Sequence, residues 1–162
     1  MDGEIHKLKE AFPPPFDAFL ADLEQIGVFA HEKGESYAVI AARSNPRWWL
    51  TPTNRGWRCA SAGLAMFQPV SRWAVLAKTG LIILARFTAS ALWARKRITL
   101  TVKPDFFRYF DRNDLYCAFF TGTEGPHRKT TVQIMTLEGM ILGYAKISRL
   151  PHVIPFIANE ER

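Results

Sequence analysis

The middle of this chain carries no negative charge. From Ser36 to Pro104 there is no Asp or Glu, while eleven Lys or Arg fall in the same stretch. Cysteine is scarce as well, with Cys59 and Cys117 alone. Two such residues make neither a metal-ligand spacing nor a disulfide framework, and the expectation is a pair of reduced thiols. No stretch of 18 residues is free of charge, so an ordinary membrane-spanning helix is not indicated. Met1–Glu10 is charged and lacks the apolar centre of a secretory signal, which points to the cytoplasm. His6, His31, His127 and His152 are scattered and show no His-x-x-x-His or related zinc spacing. Ser61, in Ala60-Ser61-Ala62-Gly63, lacks the leading Gly-x of a nucleophile elbow. Asp111 and Asp114 bracket Asn113 without the later Glu of a calcium loop and read as turn residues.

What is present is enough for a folded core. The 162 residues are 48% hydrophobic and 13% aromatic, a composition outside the disordered range. The net charge of +6 conceals three unequal blocks. Met1–Glu35 holds eight acids and three bases, the acid-free block follows, and Asp105–Arg162 is balanced at seven of each. All five tryptophans (Trp48, Trp49, Trp57, Trp73 and Trp93) lie in the middle block.

Such a block suits an anionic bilayer, where Trp favours the headgroup level and each Lys or Arg near the surface adds about 1 kcal/mol. On this reading Trp73, Arg86, Trp93, Arg95, Lys96 and Arg97 face the membrane, and the protein sits at the periphery of the inner membrane. The alternative is a helical subdomain with tryptophans in its core. Its arginines would then face solvent or pair with the acidic first 35 residues. No RNP sequence or zinc-finger spacing is present, so nucleic acid is not the expected partner.

Along the chain, Pro13-Pro14-Pro15 closes a charged arm, residues 1–14. A helix is expected over Phe16–Gln25, stopped by Gly27. Tyr37–Ala42 reads as a strand. Asn45-Pro46 and Thr51-Pro52 mark turns around Arg47-Trp48-Trp49-Leu50. Thr53 or Asn54 is placed to cap a helix running to Phe67, ended by Pro69. Val70–Lys96 is the longest helix candidate. Arg72, Thr79, Arg86 and Ser90 fall on one narrow ridge and most other positions are apolar, although Lys78 lies off it, which predicts burial of most of its circumference. Ile98–Val102 alternates as a strand, and Pro104 opens a short helix to Asp111. Three strands follow, Leu115–Thr121, Lys129–Met135 and Met140–Ile147, joined by a glycine loop and the tight turn Leu137-Glu138-Gly139. The fold class is α+β. A mostly helical basic region, residues 15–112, precedes an antiparallel meander, residues 113–162.

The loop Gly122-Thr123-Glu124-Gly125-Pro126-His127-Arg128 and the strand Gly143-Tyr144-Ala145-Lys146-Ile147 have a chemical logic. Glycine lets backbone N–H groups approach phosphates closely, and a lysine on a neighbouring strand supplies a point charge. The segment from Thr121 to Ile147 resembles the N-lobe of bacterial phosphotransferases of the aminoglycoside and choline kinase-like superfamily. The likeness is nearest to predicted members associated with cell-surface polysaccharide genes, and covers about a third of the chain. It implies a nucleotide half-site made of Gly122, Thr123, Gly125, Arg128 and Lys146, with Glu160 as the helix partner of the lysine and Glu161 second to it. It also implies ATP with Mg as cofactor. The loop departs from G-x-G-x-x-G, with glycine only at 122 and 125. Asp105-Phe106-Phe107 precedes the loop and lacks the glycine of a metal motif. Neither a catalytic Asp nor metal carboxylates occur where the family has them, in a C-lobe. The resemblance therefore implies an amino-terminal portion, truncated before the C-lobe and inactive alone. It would be completed by that lobe or by a partner polypeptide. The reading from a different class is a non-catalytic accessory or interaction protein, using an exposed sheet edge or the basic surface.

Overall fold

The computed structural model describes residues 15–41, 47–53, 56–68, 71–87, 96–122 and 125–159. The fold is α+β. Helix α1 (Pro15–Glu24) leads into β1 (Val28–Ala41) and β2 (Trp48–Pro52). Helix α2 (Gly56–Gly63), a 3-10 turn (Leu64–Met66) and helix α3 (Arg72–Phe87) follow. Then come β3 (Arg97–Val102), a 3-10 turn (Asp105–Tyr109), the strands β4 (Leu115–Thr121), β5 (Thr130–Thr136) and β6 (Ile141–Ile147), and the short α4 (Ile154–Asn159). Among the described residues six strands form one antiparallel sheet in the order β3-β1-β2-β4-β5-β6.

Most expected elements are present, and two strands go beyond expectation. β1 begins nine residues ahead of Tyr37. Its first three residues pair with Val102–Leu100, and its ladder resumes at Glu35 against the same Leu100. Residues 31–34 leave the ladder between these points, and the polar His-Glu-Lys-Gly run hides the first half of the strand from any period-two pattern. The segment read as turns around Trp48 is instead β2, every residue of which is buried. A strand covered on both faces has no alternation to reveal it. Thr53 is too far ahead of α2, which begins at Gly56, to cap it, and Asn54 lies outside the described residues. The Thr53 hydroxyl donates to the Ser36 carbonyl (2.9 Å) and ties β2 to β1.

One face of the sheet packs on α1. Phe16, Phe19 and Leu23, at helical spacing, meet Tyr37, Val39, Trp48, Leu50, Cys117, Phe119 and Val132 in the main core. The Phe16 ring stands edge-on to Trp48 at 5.4 Å. Dense packing of this kind accounts for most of the fold's stability. The opposite face is covered by α2, whose inward residues are small: Cys59, Ala60 and Gly63. A Cβ at Gly63 would collide with the Thr51 side chain, so glycine sets how closely this helix lies on the sheet. Thr51 donates to the Ala60 carbonyl (3.1 Å) and the buried Gln133 to the Ala62 carbonyl (2.8 Å). These bonds tie the last turn of α2 to β2 and β5. Cys59 and Cys117 are both free and buried. Burial pushes the Cys117 thiol well above its usual range, which keeps it protonated and unreactive.

The boundary expected near Arg112 falls between strands of a single sheet. Trp49 pairs with Phe120 and Leu50 with Phe119, so the last three strands continue the first three. Phe119 sits at this junction, fully buried and 5.7 Å from the Tyr37 ring. Phe119→Ala is expected to cost about 3–5 kcal/mol in urea unfolding. The loss should appear as one cooperative transition, because both halves share that residue. Two separated transitions would show that the halves fold independently.

Candidate functional site

Two places bear on function: the loop between β4 and β5, and the outer surface of α3. The loop is closed by backbone pairing, Gly122 N–H donating to the Lys129 carbonyl at 2.8 Å. A Cβ at Gly122 would lie 2.8 Å from that same oxygen, so the glycine here permits close approach of the two hairpin strands. Gly125 has φ 152, with nothing within 4 Å of its Cβ position. Thr123 lies outside the described residues, as do Glu160 and Glu161.

Arg128 turns inward. Its Nη2 donates to Asp22 Oδ2 of α1 at 3.1 Å, and its side chain is almost fully buried. Thr130 donates to the same oxygen (3.0 Å), and Arg149 Nε donates to Oδ1 (2.7 Å). Asp22 is only 2% exposed. A carboxylate so deep is tolerated because charged donors and a hydroxyl together replace its hydration. Ser148 donates to the Arg128 carbonyl (3.0 Å), and His152 contacts the Pro126 carbonyl. The His127 ring lies 5.7 Å from Phe156 of α4. The segment after β6 thus folds back onto the loop.

Lys146 is exposed on β6 and pairs with Thr131. Direct partners in a ladder share a face, and successive residues alternate. Thr130 faces Asp22 on the α1 side, so Thr131 and Lys146 lie on the other side, the side Gln133 uses to reach α2. Arg128 and Lys146 share one end of the sheet but occupy opposite faces. The structure does not bring them to one point. Asp22 was missed in the sequence, although its place three residues after Phe19 sets it at the border of the apolar stripe of the helix, where an acid is buried only if paired.

Helix α3 departs from its expectation. Ala85 is its single buried residue. Its inward row of Ala74, Lys78, Leu81 and Ala85 is small or only partly covered, with Ala85 and Leu81 touching Ala60 and Ala38. Lys78 Nζ donates to the Phe67 carbonyl at 2.7 Å, and burial lowers its pKa. The large apolar residues point outward. Trp73 is 82% exposed, Leu76 61% and Phe87 76%, with Val75, Ile83 and Leu84 also exposed. Positions 73, 76, 83 and 87 form one stripe at helical spacing. The usual arrangement of an amphipathic surface helix is therefore inverted.

Bases border this stripe. Arg72 and Arg86 lie at its two ends, both exposed. Arg86 Cζ sits 5.0 Å from the Trp57 ring centre and 5.6 Å from that of Phe87, and Arg58 Cζ lies 5.6 Å from Trp57. Arg97, exposed at the start of β3, pairs with Ala38. That register puts it on the face that α2 and α3 cover, because Ala38 packs against Ala60 and Ala85. Lys96 is exposed beside it, while Trp93 and Arg95 lie outside the described residues. The tryptophans divide: Trp48 and Trp49 are core, Trp57 is partly exposed and Trp73 is almost bare. The basic block does not discharge itself on Asp22, which pairs instead with Arg128 and Arg149 from beyond it. Among the described residues no group of three or more His, Cys, Asp or Glu could hold a metal ion.

Comparison with protein-family models, with curated proteins and with solved structures finds no match.

Asp22→Ala leaves two guanidiniums without their buried counter-charge and is expected to cost about 3–5 kcal/mol in urea unfolding. A loss below about 1 kcal/mol would place the pair among weak surface interactions.

Proposed function

We propose that this chain is a non-catalytic accessory module that seats on an anionic membrane surface through α3, with the sheet as its rigid support. The observation that carries the reading is the outward stripe of Trp73, Leu76, Ile83 and Phe87, set in a block without a single acid from Ser36 to Pro104. Apolar patches of this kind on a folded surface mark a docking site. Aromatic residues flanked by Arg are the chemistry of an interfacial helix, which buries its apolar side at the headgroup boundary. The sixteen residues of α3 extend about 24 Å, and among the described residues no helix is long and apolar enough to cross a membrane. A second copy of the chain is a poorer occupant, because it would bring Arg72 and Arg86 against their like.

Co-sedimentation with phosphatidylcholine vesicles, with and without phosphatidylglycerol, tests the reading. Binding is expected only with the anionic lipid and should weaken with salt. Trp73→Ser combined with Phe87→Ser should lower it at least about tenfold, since burying one such ring is worth about 1.5–3 kcal/mol. Binding indifferent to lipid charge, or untouched by the double substitution, would sink the proposal.

A nucleotide half-site is the competing reading, favoured by Lys146 and the β4–β5 loop occupying one end of the sheet. With Arg128 engaged by Asp22, Lys146 is the residue on which it rests. Titration calorimetry with ATP and Mg decides between the two. The docking reading expects no binding that depends on Lys146, whereas about a tenfold weakening in Lys146→Ala, roughly 1.4 kcal/mol, would restore the half-site.

A further inference from the structure

Arg58 and Arg86 come from different helices, the first turn of α2 and the last turn of α3, yet both guanidinium carbons lie within 5.6 Å of one ring centre, that of Trp57. Among the described residues neither meets a carboxylate. Two like charges beside one indole, with no described carboxylate at either, make a local positive field that favours an external anion. The ring attracts each cation through its quadrupole and limits where it sits. No acid occurs in the first turn of α2, so its N-terminal partial positive charge adds to the same field. Exposed Phe87 lies against Arg86, which puts the cluster at one end of the outward stripe of α3.

We infer that Arg58 and Arg86, held around Trp57, receive the phosphomonoester headgroup of a membrane lipid. The inference rests on the surface-docking reading and gives it a preferred lipid. The number of donors selects the ligand. Each guanidinium presents a planar fork that matches two phosphate oxygens. A phosphomonoester carries close to two negative charges and three terminal oxygens, enough to engage both forks. A phosphodiester offers one charge and two free oxygens, enough for one. Trp57, partly exposed, supplies the apolar wall that faces the glycerol region when α3 lies in the interface.

The test compares phosphatidylcholine vesicles doped with phosphatidic acid or with phosphatidylglycerol, adjusted to equal surface potential. The full chain is expected to bind the phosphatidic acid vesicles about fivefold or more tighter, as a second charge-assisted pair would give. The double variant Arg58→Lys, Arg86→Lys keeps both charges but loses both forks. It should bind the two vesicle types equally, with circular dichroism unchanged. Equal binding of both lipids by the unaltered chain, or a preference that survives in the lysine variant, overturns the phosphate site while leaving surface docking in place. Displacement from phosphatidic acid vesicles by millimolar inorganic phosphate would assign the pair to a free anion and overturn the lipid assignment. Absence of binding to either vesicle type removes both the site and the docking reading.

Discussion

The pairing of β2 with β4 is the constraint on which the rest of the molecule depends. It involves few residues, Trp49 and Leu50 against Phe120 and Phe119, yet it converts two sets of three strands into one sheet. Because β2 is buried from end to end, both of its faces must be covered. Helix α1 covers one and α2 the other. Each helix brings what the spacing requires, with large aromatics from α1 filling a wide gap and small residues from α2 allowing a narrow one. Trp49 stacks on Phe120 at 4.9 Å and meets Phe67 edge-on at 4.7 Å, so the same junction also anchors the turn that leads toward α3.

Electrostatics follow from that packing. The sheet brings α1 beside the β5–β6 end, and Asp22 there takes up Arg128 and Arg149. Long-range pairing between the first and last parts of the chain leaves the acid-free middle block without that carboxylate. Its exposed bases Arg58, Arg72 and Arg86 consequently direct their field outward on the side where α3 lies. The same network takes Arg128 out of the β4–β5 loop, while strand alternation sends Lys146 to the other face. One buried carboxylate thus shapes both candidate surfaces.

Helix α3 shows why apolar content alone does not establish a core. Its composition suggests burial on most sides, but α2 is already seated on the sheet beneath it. What remains for α3 is a shallow shelf lined by Ala60 and Ala38, which small residues fit. Trp73, Leu76, Ile83 and Phe87 have no room on that side and project away from the protein. An apolar stripe in that position gains little from folding within one molecule, and the docking proposal rests on that.

Local pattern was enough to read α1, α2, β3 and the three-strand meander, because these elements alternate or repeat with their own periods and are bounded by Pro, Gly or turn residues. The α+β class and the one-sign charge of the middle block were likewise legible from residues alone. The first half of β1 and all of β2 were not, since a four-residue excursion and burial on two faces erase the periodic signal. Side-chain destinations were decided by tertiary structure. Asp22 finds Arg128 and Arg149 across more than a hundred residues of sequence. Trp57 is flanked by guanidiniums from two helices, and Lys146 is divided from Arg128 by the thickness of a sheet. A period describes how a segment relates to itself. The identity of the surface that meets it is set by strand order and helix placement, which no local pattern contains.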